Sequence, residues 1–438
     1  MHGTSLRYIF CLTLFISTAG FALSKGVPSQ PQFQVLHSFG AAGDGDSPSG
    51  APVMDRNGNL YGVTGFGGAY ALGTVYELSP SGNGQWTETI LHSFQAEPSD
   101  GYEPTGLTID SAGNLYGSTA FGGDSTQVEC DNGGCGTIFE MTPQGNGQWT
   151  ESILYNFCSL PNCTDGVHPQ PPKIGPGGIV YGIAGNTVYA LTPGSGGWVL
   201  NALYEFCPSG MLHCTNGSEP SGAPVLDTAG NLYGETIVGG QCTANLDFGC
   251  GVAYELQRQP NGQYEEVVLH VFQEESNEDG SGPQGGFAAR DGGLYGIAFG
   301  GGELCVNLGG CGTVFELTRG SGQMVNEQTI WSFGGQNGTE GINPTVGPTF
   351  NSQGDLFGTT GMGGSPSCGG CGVVYGMRQQ KNGQWAYYVL HSFTGPDGAV
   401  PDSSVLVDAK DDLFGVTGFG GQYDGGVAYE LSPVTQAK

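Results

Sequence analysis

The sequence predicts an all-β fold, a seven-bladed propeller with four antiparallel strands per blade. Three observations predict it: glycine enrichment without a collagen period, a motif set that recurs seven times, and a strand displaced from one end of the repeat array to the other. The chain has 438 residues, of which 83 are glycine and only 12% are charged. Glycine at that density marks many tight turns between short strands. Disorder does not fit, because 37% of the residues are apolar and aromatic residues recur at fixed places.

Three units carry the repeat. Gly-Asn-Leu-Tyr-Gly or a variant places its core at Leu60, Leu115, Val180, Leu232, Leu294, Leu356 and Leu413. A strand-like Gly-Thr-Val-Tyr-Glu-Leu segment follows each, beginning at Gly73, Gly136, Asn186, Gly251, Gly312, Gly372 and Gly426. Leu-His-Ser-Phe or a variant ends at Phe39, Phe94, Phe157, Phe206, Phe272, Phe333 and Phe393. In the first repeat the candidate strands are residues 51–55, 59–64, 73–78 and 87–94. Asn57-Gly58 and Gly84-Gln85-Trp86 supply the tight turns between them. Strands such as Glu88-Thr89-Ile90-Leu91-His92 do not alternate cleanly, which suits sheets buried on both faces.

The ends of the array select a closed ring. Phe33-Gln34-Val35-Leu36-His37-Ser38-Phe39 is a fourth strand without its first three. Gly426-Val427-Ala428-Tyr429-Glu430-Leu431 is a third strand without its fourth. If the first completes the sheet of the last, every blade has four strands and no edge is left open. An open solenoid explains the repeats but not this offset.

The chain divides into residues 1–24, read as a secretory signal, a propeller over 32–432, and a short tail, 433–438. Arg7, the apolar run from Tyr8 to Ala19 and the small residues at Gly20 and Ala22 compose the signal. The run is too short for a comfortable membrane span, so no membrane insertion is expected. Export into an oxidising compartment agrees with twelve remaining cysteines in six close pairs: Cys130/Cys135, Cys158/Cys163, Cys207/Cys214, Cys242/Cys250, Cys305/Cys311 and Cys368/Cys371. Their variable spacing favours disulfides over zinc. Cys368-Gly-Gly-Cys371 has redox spacing, but it occupies the same repeat position as three other pairs.

The net charge of −29 argues against nucleic acid and anionic membranes as partners and keeps an exported protein soluble. No cofactor is expected. Such a surface would attract cations, calcium among them, although no Asp-x-Asp-x-Asp-Gly loop occurs. The turn aspartates Asp44, Asp100, Asp165, Asp279 and Asp397 read as caps of their own backbone. Glu77, Glu140, Glu255, Glu316 and Glu430 repeat by blade and read as architecture, as do the strand histidines His37, His92, His270 and His391.

The Asp-Gly-x-x-Pro turns, Gly-Asn-Leu-Tyr-Gly, Phe66-Gly67-Gly68, Gly73-Thr74-Val75-Tyr76-Glu77-Leu78 and Leu91-His92-Ser93-Phe94 together resemble the GloVer-type tandem repeats of exported bacterial proteins grouped under the "choice-of-anchor" label. The resemblance covers residues 32 to 432 and implies a β-propeller-like fold without implying an activity. Some relatives end in an anchoring tail; Ser432 to Lys438 does not resemble one.

Strand order puts the loops between second and third strands on one face, together with the loops that enter each next blade. All six cysteine pairs fall in these loops. Blade three has only Ile183-Ala184-Gly185 at its second connection, and the loops flanking that gap carry His168 and His213. A notch rimmed by His168, His213, Asp165 and Glu219 is therefore the candidate recognition site. No serine-histidine-acid, P-loop or H-E-x-x-H motif appears. The sequence thus favours a monomeric, non-catalytic binding or scaffold propeller whose partner is a glycan or an extracytoplasmic protein. The alternative is a polysaccharide lyase or glycoside hydrolase acting from the same face.

Overall fold

The computed structural model describes residues 31–95, 100–124, 130, 133–208, 214–241, 249–273, 279–302, 310–320, 325–334 and 338–432. The signal expected at 1–24 and the tail at 433–438 lie outside them. Strand β1 (Gln32–Ser38) precedes blade one, formed by β2 (Gly45–Met54), β3 (Leu60–Gly67), β4 (Thr74–Gly82) and β5 (Gln85–Ser93). Blades two to six follow as β6–β9 within 101–156, β10–β13 within 173–205, β14–β17 within 218–271, β18–β21 within 280–332 and β22–β25 within 349–392. Blade seven is β26 (Leu406–Val407), β27 (Leu413–Thr417) and β28 (Val427–Ser432), completed by β1. Gln32 pairs with Ser432 and Ser38 with Val427, antiparallel throughout. The ring is closed by the amino-terminal strand, and seven four-stranded sheets result.

Local chemistry explains the strand ends. The turn after β2 is tied by Asp55, whose Oδ1 accepts from the Asn57 and Asn59 amides at 2.8 and 2.9 Å. Asp110, Asp227, Asn351 and Asp408 repeat this bond in four other blades. Strand β2 begins six residues earlier than its sequence alone indicates, because a bulge between Ser49 and Val53 carries the pairing past Pro48 to Gly45.

One aromatic pair joins each blade to the next. The phenylalanine ending each fourth strand packs against the central ring of the following blade's third strand. The pairs are Phe39–Tyr76, Phe94–Phe139, Phe157–Tyr189, Phe206–Tyr254, Phe272–Phe315, Phe333–Tyr375 and Phe393–Tyr429, with centroids 4.7–5.3 Å apart. All fourteen rings are buried to within 1%. Such pairs contribute roughly 0.5–1.5 kcal/mol each beyond the area they bury. The glycine of each Leu-Tyr-Gly unit makes room for the same ring: a Cβ on Gly62 would lie 2.2 Å from the Tyr76 hydroxyl.

Candidate functional site

The loop face is organised by a residue that precedes a proline in every blade. Ser47, Glu103, His168, Glu219, Gly282, Asn343 and Val400 all have left-handed φ between 49° and 62°. The backbone N–H of each donates to the preceding blade. The acceptors are the carbonyls of Gly425, Leu72, Cys135, Cys250, Cys311 and Cys371, with the Asn186 side chain serving Glu219. This bond offsets the strain of a non-glycine residue in that region, of order 1 kcal/mol. Four of the acceptors, Cys135, Cys250, Cys311 and Cys371, are themselves disulfide-bonded, so the crosslink steadies the carbonyl that holds the next blade.

Of the four residues predicted to rim the notch, His168 and Glu219 occupy equivalent positions in this series, on blades three and four. His168 Nδ1 lies 2.7 Å from the Ala120 carbonyl, and its ring meets Phe121 edge-on at 4.9 Å. Asp165 is fully buried, where it accepts from the Tyr155 hydroxyl and the Ser159 amide, both at 2.8 Å. It is enclosed rather than presented on the rim. His213 lies outside the described residues. Disulfides Cys130–Cys135, Cys158–Cys163, Cys207–Cys214 and Cys368–Cys371 are formed. Cys250 and Cys311 are disulfide-bonded too, while Cys242 and Cys305 lie outside the described residues. The crosslinks mark a chain that folds in an oxidising compartment, extracellular or periplasmic. No helix among the described residues is long and apolar enough to cross a membrane.

Sequence reasoning missed the most exposed apolar feature of this face. At the loop-face end of the second strand stand Phe66, Phe121, Val238, Met362 and Phe419, while blade three has Asn186 and blade five Gly300, with Phe299 one residue earlier. Phe66, Phe299, Met362 and Phe419 are 44–54% exposed. Two further rings, Tyr70 on blade one and Tyr423 on blade seven, are 57% and 50% exposed. Phe66, Tyr70, Phe419 and Tyr423 thus bring four open rings to two adjacent blades, whose loops carry no cysteine. The Phe-Gly-Gly motif marked these positions as a repeat, but repetition alone does not distinguish a buried ring from an exposed one.

Beneath the loops, the strand histidines form inter-blade clusters. His37 Nε2 lies 2.9 Å from Asp44 Oδ2 and 3.7 Å from Glu88 of the next blade. His92 lies 3.3 Å from Asp100 and 3.6 Å from Glu151, and His270 lies 3.2 Å from Asp279, with Glu327 alongside. The ligand atoms within each trio lie within 4.8 Å of one another, an arrangement able to hold a divalent ion. At three other interfaces one partner or both are replaced. Tyr204 donates to Glu266 at 2.6 Å, Trp331 stacks on Tyr387 at 4.3 Å, and His391 stacks on Phe33 at 3.8 Å. Asp44, Asp100 and Asp279 also accept from the glycine amide that follows each, so they cap their turns while orienting a histidine.

Burial shapes the acid–base behaviour of these interfaces. Desolvation pushes Glu88 up to about 8, and Glu151 and Glu327 to about 7. In blade four, burial raises fully enclosed Glu235 to about 8, although the Gly286 amide donates to it at 2.7 Å. Burial works against a charge on His92, but Asp100 and Glu151 outweigh it and raise its pKa. Burial lowers His391, which acts in the opposite sense. A carboxyl raised above its ordinary 4.5 keeps a proton that the unfolded chain releases. Its contribution is complete below about pH 4.5 and is lost as pH rises through 7 to 8. The melting temperature is therefore expected to fall between pH 5 and pH 8. Glu235→Ile, which copies the residue of blades three and five, should flatten that slope; an unchanged slope in a pH series of thermal melts would contradict the assignment.

The first strands enclose an axial cavity of about 410 Å³. Ser49, Gln170 and Ser404 hydrogen-bond across neighbouring blades to the carbonyls of Pro104, Pro220 and Gly347. Lys173 and Asp402 line the cavity. Both are open to its space yet surrounded by protein, and burial lowers the lysine and raises the aspartate.

The comparisons agree with this architecture. The Gloeobacter/Verrucomicrobia repeat matches residues 20–192 and 240–438. The unmatched stretch spans the end of blade three and the start of blade four. No curated protein matches the chain. Among solved structures, virginiamycin B lyase from Staphylococcus aureus superposes with a TM-score of 0.52 at 15% identity, covering 92% of this chain and 99% of that one. An ancestral GH74 enzyme gives 0.55 at 13%, covering 94% of this chain and 52% of that one. The extracellular domain of a one-component system from B. thetaiotaomicron gives 0.52 at 12%, with 93% and 41% covered. At these identities the likeness is one of fold.

Proposed function

The chain belongs to the Gloeobacter/Verrucomicrobia repeat family, and from that premise we propose that it is a non-catalytic binding propeller acting outside the cytoplasm, with its loop face recognising a glycan. The observation that carries this reading is the group of four half-exposed rings on blades seven and one, Phe66, Tyr70, Phe419 and Tyr423. Exposed aromatic faces offer flat apolar surface to sugar rings at little conformational cost. The pre-proline series beside them supplies polar side chains such as Glu103, Asn343 and Ser47.

The arrangement of titratable groups favours binding over hydrolysis or elimination. An enzyme needs its acid and base converging on one substrate position. Here Glu88, Glu151 and Glu327, three of the carboxyls with raised pKa, recur at three interfaces, each beside a histidine and below the loops. Repetition by blade is the mark of architecture.

The test is affinity electrophoresis against a panel of neutral and acidic polysaccharides, with product analysis of every ligand found. The proposal expects retardation by at least one polysaccharide without released oligosaccharides. Replacing Phe66 and Phe419 together by alanine should weaken that binding about tenfold or more, as loss of stacked aromatic anchors does elsewhere. Released oligosaccharides, or binding indifferent to both rings, would count against it.

A further inference from the structure

The turn face carries a gap that the molecule's own repetition defines. At the start of the fourth strand, four blades place a tryptophan: Trp86, Trp149, Trp198 and Trp385. Each indole packs against the second-strand ring of the preceding blade. The pairs are Trp86–Phe414, Trp149–Tyr61, Trp198–Tyr116 and Trp385–Tyr295, with centroids 5.5–6.3 Å apart and ring planes inclined by 62–70°. In blade five the equivalent residue is Val325, paired with Arg319 as Trp86 is paired with Pro80.

Valine does not replace the indole. A cavity of about 520 Å³ remains between blades four and five, lined by Tyr233, Leu269, Leu294, Leu317 and Val325. Arg319 borders it, with its guanidinium carbon 5.8 Å from the Tyr233 ring centre. That guanidinium donates to the Tyr233 hydroxyl at 2.6 Å and to Glu255 at 3.0 Å. The arginine is thus fixed at the rim and its charge already balanced, so the cavity asks for an apolar planar occupant rather than an anion.

We propose that this slot is a binding site for a planar aromatic ring system of indole size, lying edge-on to Tyr233 beside Arg319. The chemistry is that of the four internal indoles, and the ligand takes the place Val325 leaves open. The site lies on the face opposite the aromatic loop patch, so it is independent of glycan recognition.

The experiment is saturation-transfer NMR of the full chain with indole and, in a separate arm, N-acetyltryptophanamide. Saturable transfer to the indole ring is expected for the native protein. Binding of free indole alone would identify a small-molecule site, and binding of both would admit a tryptophan side chain. Val325→Trp should abolish the signal and raise the melting temperature, because the new side chain fills the slot. Ala289→Phe, which enters the cavity from its open end, provides a second block should Val325→Trp fail to fold. Absence of saturable binding, or binding unchanged by a folded blocking variant, would overturn the proposal.

Discussion

Removing residues 1–38 is expected to abolish cooperative folding, although the deleted part of the ring is a single strand. That strand supplies half of the pairing of β28 and places Phe33 against His391, Phe393 and Tyr429, at 3.8, 5.8 and 5.7 Å. Without it, β28 becomes an open edge and the interface between blades six and seven loses its outer ring. Loss of a whole strand with its buried side chains exceeds about 5 kcal/mol, the lower range of a domain's entire stability. An exposed edge in a β-rich chain also recruits other copies. The measurement is chemical denaturation followed by circular dichroism, with light scattering to detect association. A circular permutant that restores residues 32–38 after Ser432 through a short turn should recover a single transition close to that of the native chain.

The second large effect concerns the glycine of the Leu-Tyr-Gly unit. In Gly358→Ala the new Cβ would lie 2.4 Å from the Tyr375 hydroxyl and 2.6 Å from its Cζ. Tyr375 is fully buried against Phe333 and Tyr387, so its ring has nowhere to move. Overpacking of this kind costs about 3 kcal/mol. Tyr375→Phe provides the contrast. The Tyr375 hydroxyl has no hydrogen-bond partner among the described residues, and blades two and five use Phe139 and Phe315 at this place. Removing an unpaired buried hydroxyl should leave stability unchanged or raise it by about 1 kcal/mol. Urea denaturation of both variants checks the pair. A tolerated alanine would mean that the ring does not rest on the glycine.

These residues show what the sequence made legible and what it concealed. Blade number and closure could be read because each unit occurs once per blade and the ends are offset by one strand. The reason for the glycine in Leu-Tyr-Gly could not, since Gly358 and Tyr375 meet only when second and third strands pair. The histidine clusters were concealed more deeply. His37 and Asp44 are close in sequence, but Glu88 belongs to the following blade and reaches them only through ring geometry. The rim residues divided for a similar reason. His168 and Glu219 precede prolines at equivalent turns, whereas Asp165 replaces an exposed role with a buried hydrogen bond to Tyr155. Val325 stands out against four tryptophans in the aligned repeats, yet its consequence appears only once Tyr233 of the adjacent blade is in place.

Amide hydrogen exchange across the two chain ends probes ring closure without altering a residue. The amino-terminal amides that donate to β28, with that of Phe39, which donates to the Gly426 carbonyl at 2.9 Å, should exchange as slowly as those of Val427 to Ser432, both opening only with the whole blade. Rapid exchange at the amino-terminal segment, with the carboxyl-terminal one still protected, would show that the seventh sheet is not completed in this way.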